Sequence, residues 1–320
     1  MAYPRHLTVP PGAPGTYHCI SRCVRRAFLC GRDPVTGQSF EHRKQWLEDR
    51  VLELGSLFAV AVHAYAVMSN HLHVVLHVDP QAPYEWSDED VARRWLALCV
   101  SAGEDAPPLE SRIRDLAAQP GRLAVLRERL GSLSWFNRFL KEPIARTANR
   151  EDGCTGRFWE GRFTTQDLLN DPAVLTCMVY VDLNPVRAGV TATPEAGPHT
   201  SLRRRMATET NLQRNLKPLA ASIQSELPEL TLHSYLEVVN WTSGNLHEDG
   251  QPPMADNIRA TLKQLHMHPD HWLMQVPAIE TRFSRAVGTS KALLELAGKL
   301  GQRWVRGIST AKAFERLDTT

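Results

Sequence analysis

"LFAVAVHAYAVMSNHLHVVLHV" (residues 57–78) reads as two β-strands joined at Ser69-Asn70. The first run, 57–68, is almost wholly apolar and rich in strand-forming residues. The second, 71–78, sorts its side chains by alternation, because successive residues of a strand point to opposite faces. Leu72, Val74, Leu76 and Val78 fall on one face, as a core requires, and His71, His73, Val75 and His77 fall on the other. Imidazoles at i and i+2 stand close enough to share one metal ion, and neutral imidazole is a common ligand. A third ligand is then expected from elsewhere in the chain. For a bare His-x-His the competing reading, two histidines lining a half-buried sheet face, is equally good.

Working outward, "TYHCISR" (16–22) reads as a strand. "SFEHRKQWLEDRVLELG" (39–55) has helical spacing, with Phe40, Trp46, Leu47, Val51 and Leu54 on the apolar side and Gly55 as the stop. Residues 79–133 turn rich in Pro, Asp, Glu and Arg and read as a helical insertion; Ser87, with Asp90 three residues on, resembles a capping box. "LSWFNRFLKEPIARTANR" (133–150) is an amphipathic helix, and "RFWEGRFTTQDLL" (157–169) is strand or loop. In "NDPAVLTCMVYVDLNPVRAGV" (170–190) Asp171 is a good cap and Pro172 a good first helical residue; the helix should stop near Asn184, before Pro185. This order predicts an α+β fold, a ferredoxin-like antiparallel sheet with helices on one face. The expected organisation is a first domain over 1–200, with the insertion at about 79–133, followed by a helical C-terminal region over 201–320 that is a candidate for DNA binding.

Composition sets broad bounds. With 320 residues, 42% hydrophobic and 22% charged, the chain can bury a substantial core. A net charge of +2 argues neither for nor against a polyanionic partner. Local clusters are more telling: Arg22, Arg25 and Arg26; Arg157 and Arg162; and Arg203 to Arg205. The six cysteines form no C-x-x-C pair, and reduced thiols in a cytoplasm are expected. The most apolar run is too short for a membrane span, so a soluble protein with no membrane partner is expected.

On the helix at 170–184, Tyr180 and Asn184 lie four apart and so share a face. An amide oxygen suits Mg²⁺ or Mn²⁺, and a phenol beside it would meet whatever the ion binds. A core aromatic with its hydroxyl at the edge is the plainer account of Tyr180. Taken together, however, "MSNHLHVVLH", "GRFWEGRF" and "YVDLNPVRAG", in that order, resemble the IS200-like Y1 transposases, and most of all their REP-associated tyrosine transposase branch. The resemblance covers about residues 15–200, interrupted at 79–133.

It implies a metal-dependent nickase and strand transferase of the HUH type acting on single-stranded or hairpin DNA, with Mg²⁺ or Mn²⁺ as cofactor. The metal-binding histidines fall on His71 and His73, the nucleophile on Tyr180 and the third ligand on Asn184, where insertion-sequence members often carry glutamine. Arg22, at the end of the first strand, takes the place of a basic residue that the family keeps. Arg157 and Arg162 are candidate phosphate contacts or solvated surface groups, and Trp159 is a candidate stacking platform in a run whose aromatics read mainly as structural; Arg187 is either a DNA contact or a cap for the tyrosine helix. Monomer and homodimer stay open. The rival reading is a domesticated, non-catalytic protein that binds hairpin DNA or regulates transcription; a phosphodiesterase using water as nucleophile is a second.

Overall fold

The computed structural model describes residues 12–24, 27–99, 106–224, 230–246, 253–265, 267–283 and 285–316; Arg25 and Arg26 lie outside them. The chain runs β1 (Gly15–Arg22), α1 (His42–Leu57), β2 (Val60–Val67) and β3 (His71–Val78). Four helices then fill the predicted insertion: α2 (Ala82–Glu85), α3 (Asp88–Leu98), α4 (Leu109–Ala117) and α5 (Pro120–Leu130). After α6 (Leu133–Glu151) come β4 (Thr164–Leu168), α7 (Asp171–Asp182), α8 (Asn184–Arg187) and α9 (Ser201–Thr208). The remainder is β5 (Ala220–Ala221), α10 (Leu232–Gly244), α11 (Asp256–Gln264), α12 (Trp272–Thr281), β6 (Ala286–Val287), α13 (Ser290–Lys299) and α14 (Ile308–Arg316). Among the described residues no helix is long and apolar enough to cross a membrane.

The strands form one sheet in the order β5-β2-β3-β1-β4-β6. Its middle four, β2-β3-β1-β4, are antiparallel and in ferredoxin-like order; β5 pairs antiparallel with β2, and β6 parallel with β4. Register places Arg22 opposite His71, Ile20 opposite His73, and His18 opposite Gln166. Directly paired residues share a face, so His18, Arg22, His71, His73 and Gln166 all project to the same side of the sheet.

Helices cover both faces, not the single face predicted. Leu72, Val74 and Leu76 pack with Leu47, Val51 and Leu54 of α1, Phe136 of α6 and Val91 of α3. Val75, Ala64 and Ala66 on the opposite face pack beneath α7, which is itself covered by Tyr235, Val238, Trp272 and Ile279. The reason lies in β2: all eight of its residues are buried, with no polar alternation, the pattern of a strand covered on both sides. The described residues of 201–320, expected as a helical C-terminal region, thus share the α7 core and add β5 and β6 to the sheet.

Two local expectations are corrected. Gly55 does not end α1, which continues to Leu57. A Cβ at Gly55 would stand 2.8 Å from the Cβ of Ala220 and 3.0 Å from Val62 Cγ2, so glycine serves close packing of helix on sheet. The cap of α7 is Asn170, whose Oδ1 accepts from Ala173 N at 3.0 Å; Asp171 sits in the first turn. From Ala173 to Asp182 every residue of α7 is buried, which makes it a central helix of the molecule.

Its last residue ties the C-terminal third to the core. The buried Asp182 carboxylate accepts from Tyr235 Oη at 2.6 Å, from Leu202 N at 3.0 Å and from Ser201 Oγ. Replacing Asp182 by Ala strands three buried donors, at roughly 1–3 kcal/mol for each group left unpaired. We therefore expect Asp182→Ala to lower the midpoint of urea denaturation far more than Tyr235→Phe, which strands no donor. Equal shifts would show that the network contributes little.

Candidate active site

The site forms where the end of β1, the start of β3 and the C-terminal end of α7 meet. The ring centroids of His71 and His73 are 4.7 Å apart; that of Tyr180 lies 5.9 Å from His73 and 6.0 Å from His18. Asn184 opens α8, one turn beyond Tyr180, and its Nδ2 donates to Tyr180 O at 3.1 Å. That bond leaves Oδ1 as the atom Asn184 can offer to the pocket it lines with Arg22, Asn70, His71, Arg187 and Glu280.

Hydrogen bonds behind the histidines fix their tautomers. Gln166 Nε2 donates to Ile279 O at 2.8 Å, so its Oε1 is the acceptor facing His18 Nδ1 at 2.9 Å. His18 Nδ1 therefore carries the proton. Burial pushes the His18 pKa down to about 4, so the ring is neutral near pH 7 and its Nε2 is an acceptor. That Nε2 lies 2.8 Å from His73 Nδ1, which must then be the donor. His73 is also held neutral, chiefly by burial, so its Nε2 bears a lone pair; this buried atom has no hydrogen-bond partner among the described residues. His71 follows the same logic. Its Nδ1 donates to Asn70 Oδ1 at 2.6 Å, and burial brings its pKa to about 4, leaving Nε2 with a lone pair.

Among the described residues no group of three or more His, Cys, Asp or Glu side chains is arranged to hold a metal ion. The set expected from the sequence is of another composition: two imidazole nitrogens and one amide oxygen. A buried imidazole lone pair with nothing to accept, backed by a hydrogen bond to the opposite ring nitrogen, is what a ligating histidine requires. The residues present fit a divalent ion.

Tyr180 is buried, 1% exposed, and its Oη donates to Glu280 Oε2 at 2.6 Å. Burial, then this bond, raise its pKa, while Arg187 opposes them; the Arg187 guanidinium carbon lies 4.4 Å from the Tyr180 ring centroid. Arg22 Nη2 lies 3.4 Å from Glu280 Oε1. Arg22 and Arg187 therefore share the pocket with His71. The other predicted DNA contacts stand apart from it. Arg157 and Arg162 are exposed, but Trp159 is buried against Phe158, 4.8 Å between centroids, with Nε1 donating to Lys141 O at 3.0 Å. Its ring is packing material and offers little face to a base.

Sequence reasoning missed His18, Gln166, Asn70 and Glu280. A signal existed for His18, which alternates with Arg22 along β1. None existed for Glu280, which reaches the site from α12, a hundred positions after Tyr180.

No family model matches the chain and no curated protein matches it. Among solved structures it is similar to a REP-associated tyrosine transposase bound to a REP hairpin, with 14% identity, a TM-score of 0.38, and coverage of 72% of this chain and 94% of that one.

Proposed function

We propose that the protein is a tyrosine transposase: a divalent-metal-dependent endonuclease and strand transferase acting on single-stranded or hairpin DNA through a 5′-phosphotyrosine. One observation carries this reading. Tyr180 stands against His18 and His73, and His73 presents a buried nitrogen with no hydrogen-bond partner among the described residues. The sequence motifs that resemble the Y1 transposases support it.

His71 Nε2, His73 Nε2 and Asn184 Oδ1 would hold Mg²⁺ or Mn²⁺. Bound there, the ion would draw electron density from the scissile phosphate and offset charge developing during attack. Tyr180 Oη attacks the phosphorus, giving a phosphotyrosine and a 3′-hydroxyl. The covalent link keeps the phosphodiester energy, so the 3′-hydroxyl of another strand can reverse the step. Arg22 and Arg187 supply positive charge for phosphate oxygens. The Ile279–Gln166–His18 chain holds His73 in the one tautomer that can ligate.

The test is incubation with single-stranded hairpin DNA from the flanks of its own gene, in Mn²⁺ or Mg²⁺, followed by denaturing electrophoresis. A band of protein joined to DNA is the expected result. Binding without cleavage would favour the non-catalytic reading, and cleavage without a joined band would favour a water nucleophile.

A further inference from the structure

Glu280 belongs to none of the motifs, yet it makes the closest polar contact to the Tyr180 hydroxyl: Oη to Oε2 is 2.6 Å. Its second oxygen, Oε1, is turned to Arg22 Nη2 at 3.4 Å. A nucleophile within hydrogen-bond reach of a base, with that base oriented by a third group, is the arrangement by which enzymes activate weak hydroxyl nucleophiles. The Glu280 carboxylate is placed to act in this way on the Tyr180 hydroxyl. The side chain is 46% exposed, so it keeps solvent access while reaching inward, and it lies at the end of α12, tied to the sheet through Gln166 and Ile279 O. The charged and titratable groups around it are Arg22, Tyr180, Arg187, His71 and His18.

We propose that Glu280 is the general base of the strand-transfer reaction, a catalytic residue that takes the Tyr180 proton as the phenol attacks and returns it on reversal. The inference rests on the proposed function. In the forward step the Tyr180 Oη–P bond forms and the P–O3′ bond breaks. The phenolic proton passes to Glu280 Oε2, and the electron pair of the broken bond leaves with O3′, which takes a proton from solvent to become the 3′-hydroxyl. In the reverse step an incoming 3′-hydroxyl attacks phosphorus and loses its proton to solvent. The Oη–P bond then breaks and the Glu280 carboxyl group reprotonates the departing phenolate.

The experiment compares the full-length protein with Glu280→Gln, each carrying either Tyr180 or 3,5-difluorotyrosine at that position, a phenol that ionises more readily. Single-turnover formation of the covalent adduct on the hairpin DNA in Mn²⁺ is timed, and DNA affinity is measured separately. Glutamine keeps the size and a hydrogen bond but cannot take a proton. We expect Glu280→Gln to slow adduct formation by about 10²–10³-fold with little change in DNA affinity. Difluorotyrosine should restore at least about tenfold of that loss while changing the unsubstituted protein much less. Rescue by phenol acidity is a readout that a purely structural role would not move. An adduct formed by Glu280→Gln at the original rate or faster would overturn the proposal and leave Glu280 as a cover over the phenol. A loss that difluorotyrosine does not relieve would also overturn it. If the unsubstituted protein forms no adduct at all, the strand-transferase reading itself falls, an outcome distinct from either.

Discussion

Tyr180→Phe is expected to eliminate the covalent protein–DNA adduct while leaving hairpin DNA binding within a few-fold of the original. The substitution deletes one oxygen from a buried ring. That ring packs against His18 and His73 at about 6 Å and beneath Arg187 at 4.4 Å, and phenylalanine preserves all three contacts. The lost bond to Glu280 leaves a carboxylate that is half-exposed and still near Arg22, so it can be solvated. The folding cost is therefore modest, on the order of 1 kcal/mol. The chemical cost is total for any path through phosphotyrosine, because no atom remains to form the bond. Removal of a catalytic nucleophile typically lowers turnover by about 10⁴-fold or more. Denaturing gels of labelled hairpin DNA give the adduct, and gel-shift titrations give the affinity. Cleavage that survives the change would mean that Tyr180 is not the nucleophile.

The second large effect is expected behind the residues proposed to hold the metal ion. His18→Leu should weaken Mn²⁺ binding by about 10- to 100-fold, the usual consequence of losing the outer partner of a ligating histidine. His18 accepts the Nδ1 proton of His73, and without that acceptor the proton can move to Nε2, which abolishes the lone pair that faces the site. Leucine fills a similar volume in this buried position, so packing is largely kept. Gln166→Leu should act in the same direction but less strongly, since His18 would remain and lose only its own orienting bond. Isothermal titration with Mn²⁺ in the absence of DNA measures this directly. An unchanged dissociation constant in His18→Leu would show that the histidine–histidine contact is packing rather than tautomer control.

Much of the candidate site's arrangement was legible because its signals are local. Alternation along 71–78 fixes which side chains share a face, and four-residue spacing puts Asn184 one turn beyond Tyr180. Both depend only on backbone period. What escaped was long-range. Gly55 carries the local signature of a helix end, but its close approach to Ala220 and Val62 is set by tertiary packing. The helices on the second sheet face were hidden for the same reason, although the unbroken burial of β2 shows in hindsight what its apolar run meant. Trp159 sits in a basic-aromatic run that fits either packing or stacking on DNA, and the fold settles its ring as packed, with its indole N–H donated to Lys141 O. Glu280 could not be foreseen, because no spacing rule links a residue of α12 to a phenol so far back in the chain.

The outermost strands of the sheet, Ala220–Ala221 and Ala286–Val287, are each only two residues long, and both residues of the latter are buried. A sheet normally invites another copy through its lateral rows of unpaired amides and carbonyls, and such short borders give an incoming strand too little ladder to hold. Self-association by continuation of the sheet is thereby disfavoured.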